Sequence, residues 1–161
     1  MLDERSTPAL TIRLATSADL AHIERLDSFS TSPTRDIHRD MEKYFGSVDP
    51  SVHERTLIFL AEVEQAPIGK AELMLPPLAT SPTIGYVKRV VVQPNYRSKG
   101  VARKLMQHII DYAQTEQRLD ALDLHVWEQN HAAIRLYEAL GFELQHREVY
   151  YRLSISTHQS H

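Results

Sequence analysis

Val90-Val-Val-Gln-Pro-Asn-Tyr-Arg-Ser-Lys-Gly-Val-Ala102 decides the reading of this chain, because it carries a strand through a short loop straight into a helix. Its three valines end the run Ile84-Gly-Tyr-Val-Lys-Arg-Val-Val-Val92, whose β-branched density predicts a strand deep in a sheet. Pro94 closes that strand. Val101, Leu105, Ile109, Tyr112 and Ala113 then mark the buried face of a helix predicted over Val101–Gln117. The first amides of a helix lack internal partners and sit at the positive end of its dipole, so a phosphate placed there takes several N–H bonds at once. Gly100 lets the backbone come close, and Arg97, Lys99, Arg103 and Lys104 concentrate four of the 18 basic residues in this stretch. A solvated basic first turn is the alternative reading of the same residues. The loop is not a Walker A motif, which needs Gly-x-x-x-x-Gly-Lys-Ser/Thr.

Upstream, Leu10–Leu14 reads as a short strand, and Thr16-Ser-Ala-Asp19 as a helix cap before Leu20, Ile23 and Leu26, which share one helical face up to Phe29. A second helix is predicted over Asp36–Phe45. Leu57–Val63 and Ile68–Leu75 are β-rich runs joined by Glu64-Gln-Ala-Pro67, a hairpin-sized connection. Downstream, Leu122, Leu124 and Val126 alternate as a strand, Asn130 caps a helix over Ala132–Leu140, and Gly141 stands where a positive φ would end it. A final strand over Leu144–Leu153 precedes a polar tail. The order predicts one three-layer α/β domain over residues 10–153, a mixed central sheet with helices on both faces, between flexible termini at 1–9 and 154–161.

Composition narrows the function classes. The 161 residues suit one domain, and 42% apolar with 24% charged residues is the balance of a folded soluble protein. A net charge of -3 disfavours a nucleic-acid partner. No Cys is present, which excludes disulfides, thiolate nucleophiles and iron–sulfur clusters. Nine His residues offer His-x-x-His only at His158 and His161, so no metal is expected. Neither an apolar leader nor a membrane-length apolar run occurs, and the expectation is a cytoplasmic protein with no membrane partner.

The sequence resembles the GNAT acetyltransferase superfamily. Its phosphate-binding signature, Gln/Arg-x-x-Gly-x-Gly/Ala, reads here Arg97-Ser-Lys-Gly100-Val-Ala102. A second family block appears as Asn130-His-Ala-Ala133-Ile-Arg-Leu136-Tyr137-Glu-Ala-Leu-Gly141-Phe142, with one helix and one strand between the two blocks. The resemblance covers roughly Leu10–Leu153 and fades in the first half, where members bind their different acceptors. It implies acetyl transfer from acetyl-CoA to a primary amine of a small-molecule or protein acceptor, in a cleft where the Ile84–Val92 and Leu122–Trp127 strands splay apart. Backbone of Val90, Val91 and Val92 would hold the pantetheine arm, and the amides of Arg97, Ser98, Lys99, Gly100, Val101 and Ala102 the pyrophosphate. The Val90 amide would donate to the thioester oxygen. Asn130 would cap its helix and touch the cofactor, and a homodimer is compatible with the resemblance.

Tyr137 is the expected acid for the departing sulfur. A phenol near ~10 facing an alkyl thiolate near ~8.5 makes that transfer mildly uphill. The base is less defined: members often carry a Glu early in the central strand, where this chain has Tyr86. Glu72, on the polar face of the neighbouring strand with Lys70 and Met74, is the candidate, looking either into the cleft or into water; Glu62 and His125 are alternatives, His125 reading better as a packing or surface residue, and a base acting through water or no dedicated base are the others. Asp27–Arg55 carries six acids against four bases, an acidic surface that suits a cationic amine or simply a solvated loop. With no Cys for an acetyl-enzyme, transfer would be direct. A non-catalytic acyl-CoA sensor of the same fold is the competing expectation.

Overall fold

The computed structural model describes residues 9–46 and 54–156. The flexible termini expected at 1–9 and 154–161 fall outside them, apart from Ala9 and residues 154–156. The chain divides into two compact units, one through Trp127 and one from Glu128.

The first unit is built on a five-stranded sheet in the order β1(Leu10–Leu14), β2(Arg55–Val63), β3(Ala66–Leu75), β4(Ile84–Val92), β5(Ala121–Asp123). The first four strands are antiparallel neighbours, and β5 lies parallel to β4. Its helices are α1(Leu20–Asp27), α2(Met41–Phe45) and α3(Val101–Thr115). Alternation along β2 shows how the layers form. Ile58 and Leu60 pack with Ile23, Leu26 and Ile37 on the α1 side, while the intervening Phe59 lies edge-on to His108 and Tyr112 of α3, its ring 5.4 and 5.2 Å from theirs. Both faces of β2 and β3 are therefore buried, and each such apolar side chain contributes roughly 1.5–3 kcal/mol. This is the mixed sheet with helices on both faces that the sequence predicts.

Local chemistry sets the element ends. Glu64 and Gln65 take φ of 52° and 66°, a two-residue turn that closes Val63 on Ala66, tighter than the four-residue connection expected. Thr16 and Asp19 form a reciprocal cap, and the Asp19 carboxylate also binds both Arg13 Nη atoms at 2.8 Å, tying β1 to the start of α1. That guanidinium pulls the Asp19 pKa down to about 2. The second helix is only Met41–Phe45, half its expected length. Asp36 Oδ1 accepts from the Arg39 amide at 3.2 Å, a local turn that competes with helix over residues 36–39.

The second unit contains one regular element among its described residues, α4(His131–Ala139). The expected strand over Leu144–Leu153 is corrected: no strand is assigned there. Among the described residues of that unit its β-prone residues have no other strand to make a ladder with. No described helix is long and apolar enough to cross a membrane.

Candidate active site

Two irregularities in β4 create the site. The first is a bulge: Glu72 pairs with Lys88 and Lys70 with Val91, so Arg89 and Val90 together face the single residue Ala71. Arg89 takes φ of 50°, which turns the backbone there and takes residues 89–90 out of regular pairing with β3. The second is a divergence. β4 and β5 pair only at Ile84–Ala121, Gly85–Leu122 and Tyr86–Asp123, while β4 runs on to Val92. Past Tyr86 no β5 ladder partner is assigned, which leaves a strand edge suited to an extended ligand's amides. The Leu122–Trp127 strand expected opposite it is correspondingly short, ending at Asp123.

The loop beyond β4 makes one 3₁₀ turn, Pro94–Tyr96, and enters α3 through two left-handed residues, Ser98 (φ 62°) and Gly100 (φ 81°). Such turns aim successive N–H groups into one concavity, here against the free first-turn amides of a fifteen-residue helix. A side chain at Gly100 would meet no heavy atom within 4 Å. Glycine is thus needed for its φ and leaves the loop's amides open to close approach. Arg97 folds back, its Nε donating to the Val92 carbonyl at 3.0 Å, and Lys99 lies over the Tyr96 ring. These two side chains shape the loop, so its own capacity for an anion starts from backbone amides, with the exposed Arg103 and Lys104 following in the first turn of α3. Gly69 serves the packing beneath: a Cβ there would come within 3.2 Å of Val101 and of the Val91 carbonyl, so it lets α3 start close against the sheet.

Glu72 sits neither in a cleft nor in water. It is fully buried on the α1 side of β3, bonded to both Arg35 Nη atoms and to Lys70 Nζ, while Asp27 binds the same Arg35 and Lys70. The quartet is closed and neutral. Burial would raise the Glu72 pKa, but the hydrogen bonds and charges of Arg35 and Lys70 prevail and hold it below the ordinary carboxylate range. A proton acceptor so placed is weak. The other base candidates separate: Glu62 pairs with Arg13, whereas the Tyr86 hydroxyl lies 2.7 Å from His125 Nδ1 at the point where β4 and β5 part. Sequence spacing gave no hint of that pairing, since 39 residues separate the two.

In the second unit Asn130 Oδ1 accepts from the Ala133 amide at 3.2 Å, so it is the α4 cap. Gly141 has φ of 103° and ends the helix, with the Phe142 amide returning to the Tyr137 carbonyl at 3.0 Å. Phe142 packs edge-on against the Tyr137 ring at 5.9 Å, and burial pushes the phenol's pKa up.

The sequence model of the acetyltransferase (GNAT) family matches residues 18–142. N-alpha-acetyltransferase 30 of Saccharomyces cerevisiae is 34% identical over 55% of this chain, a match that spans about half (49%) of that relative's length. Spermidine N(1)-acetyltransferase of Vibrio cholerae is 26% identical over 83% of this chain and 78% of its own. The ribosomal protein bS18-alanine N-acetyltransferase of Escherichia coli is 44% identical over 38% of this chain and 42% of its own. Among solved structures, the aminoglycoside N-acetyltransferase AAC(6')-Iy in complex with CoA has the same fold, with a TM-score of 0.73 at 22% identity over 94% of this chain and 99% of that one. The chain belongs to the acetyltransferase (GNAT) family, whose sequence model spans most of its length.

Proposed function

We propose that the chain acts as one domain over residues 10–153 that passes acetyl from acetyl-CoA directly to the primary amine of a small-molecule or protein acceptor. The carrying observation is the divergence of β4 from β5 past Tyr86, next to a left-handed loop at the start of α3. Backbone of Val90, Val91 and Val92 would hold the pantetheine arm as a neighbouring strand would, and the amides of Arg97–Ala102 would bind the pyrophosphate. When bound, acetyl-CoA supplies an acetyl thioester activated for attack by an amine. The Val90 amide, displaced from regular pairing by the bulge, donates to the oxygen on which charge grows. Tyr137 stays protonated at neutral pH and gives its proton to the leaving sulfur, with Asn130 organising the turn before it. A raised pKa weakens this acid, so its share of the rate is modest.

The incoming ammonium must lose a proton. Glu72, the carboxylate singled out from sequence, would have to break two ion pairs to take it, and we assign it the holding of Arg35 and Lys70 instead. The Tyr86–His125 pair is the better acceptor: the imidazole carries a basic ring nitrogen, and the hydroxyl bonded to it can relay a proton. Thiol release from acetyl-CoA, measured over N-terminal peptides, amino acids, spermidine and an aminoglycoside, tests the reading. Amine-dependent release is expected. A protein that binds acetyl-CoA but stays silent with every amine would be a sensor.

A further inference from the structure

Lys88 lies on β4 two residues from Tyr86 and two from Val90, and its side chain is on the face of the sheet turned away from α3. Register shows this: Lys88 is opposite Glu72, whose partners Arg35 and Lys70 are tied to Asp27 of α1, whereas Gly69 packs on Val101 and Leu105 of α3. Leu105, Met106 and Ile109 of α3 are fully buried and close that side. An amine bound for the Val90 amide therefore has the opposite face, where Met74, Tyr86 and Lys88 are half-buried.

Charges on that face do not cancel. Asp27 and Glu72 are matched by Arg35 and Lys70. Glu54 Oε1, however, serves two ammonium groups at once, Lys43 Nζ at 3.0 Å and Lys88 Nζ at 3.6 Å. Burial first, and then the charge of Lys43, lowers the Lys88 pKa; Arg35 adds to the lowering, and Glu54 and Glu72 offset part of it. Among the described residues the surplus is positive, in a chain whose net charge is -3. A half-desolvated cation pair short of one carboxylate gains more from an incoming anion than an exposed lysine does.

We propose that Lys43 and Lys88 recognise a carboxylate close to the acceptor's amine, so that the substrate is an amine with an acidic neighbour and not a polyamine. The inference rests on the N-acetyltransferase reading. Lys88 stands two residues before Val90 on β4, so a carboxylate held at Lys88 keeps its amine in the neighbourhood of the Val90 amide.

The test compares kcat and KM, by thiol release, for three C-terminally amidated peptides that differ only in Glu, Ser or Lys at the second position, for free amino acids and for spermidine. The Glu peptide is expected to exceed the Lys peptide roughly tenfold in kcat/KM at low salt, with the gap narrowing at high salt. Lys88→Gln should erase the preference through KM, and Lys43→Glu, on the short helix α2, should reverse it. A preference confined to free amino acids would identify the α-carboxylate as the recognised group; one shared by the amidated Glu peptide would identify the side chain. Spermidine or the Lys peptide preferred by the unmodified protein, or a preference for acid untouched by both substitutions, overturns this inference and leaves the transferase reading intact. Silence with every amine overturns both.

Discussion

The loop entering α3 and the ion cluster beneath α1 flank the same strands, yet they are held by opposite means. In the loop, two left-handed residues and a helix start present amides, and the Arg97 and Lys99 side chains turn onto the protein itself. In the cluster, Asp27, Arg35, Lys70 and Glu72 come from a helix end, a loop and one strand, and their side chains tie those three segments together. Backbone sites depend on conformation and tolerate varied side chains. Side-chain sites depend on every partner being present.

The largest effect should come from breaking the cluster. Glu72→Ala leaves Arg35 and Lys70 buried with one carboxylate between them, and stability should fall by about 3–5 kcal/mol in urea unfolding. Glu72→Gln should also destabilise while leaving the acidic limb of the kcat/KM pH profile in place; loss of that limb would restore Glu72 as the base. The loop should break differently. Gly100→Glu is expected to weaken acetyl-CoA binding by ~10²-fold or more in calorimetry, at a strain cost of only about 1–2 kcal/mol. Unchanged affinity in that folded variant would remove the loop from the site.

Tyr137→Phe sharpens the contrast between holding and reacting. It keeps the ring on Phe142 and deletes the proton, so affinity and melting temperature should hardly move, while turnover falls toward the lower end of ~10²–10⁴-fold. Full turnover would discard Tyr137 as the acid. The smallest effect concerns pH. Asp19 has a folded pKa of about 2 against an ordinary 3.8, so its contribution is complete above 3.8 and is lost as the pH falls from there toward 2. With Arg13 partly in solvent the contribution is on the order of 1–2 kcal/mol. Urea midpoints between pH 5 and 2 should fall more steeply for the native chain than for Asp19→Asn; parallel curves would refute this.

How much was legible in the sequence follows the same division. Four of the five strands, the start of α3, the Asn130 cap and the positive φ of Gly141 could be read because each depends on neighbours in the chain. The missing last strand was misread because Val149, Tyr150, Tyr151 and Leu153 have β propensity, but propensity does not supply a partner strand. Asp27–Arg55 was read as acidic by two charges, a count that leaves out what the fold brings to it. Lys70 and Lys88 arrive from the sheet and take up Asp27 and part of Glu54.

By itself the sequence determined where backbone geometry makes a site: β-branched residues specify β4, Pro94 stops it, and Gly100 permits the turn whose amides open α3. These are local steric and hydrogen-bonding preferences, written residue by residue. Only the tertiary structure decided that Glu72 is locked in a buried quartet, that Tyr86 meets His125, and that Lys43 and Lys88 share one carboxylate. The reason is physical: a charge's proton affinity and its partners depend on burial and on distances of a few ångströms between residues tens of positions apart, and chain order does not encode either.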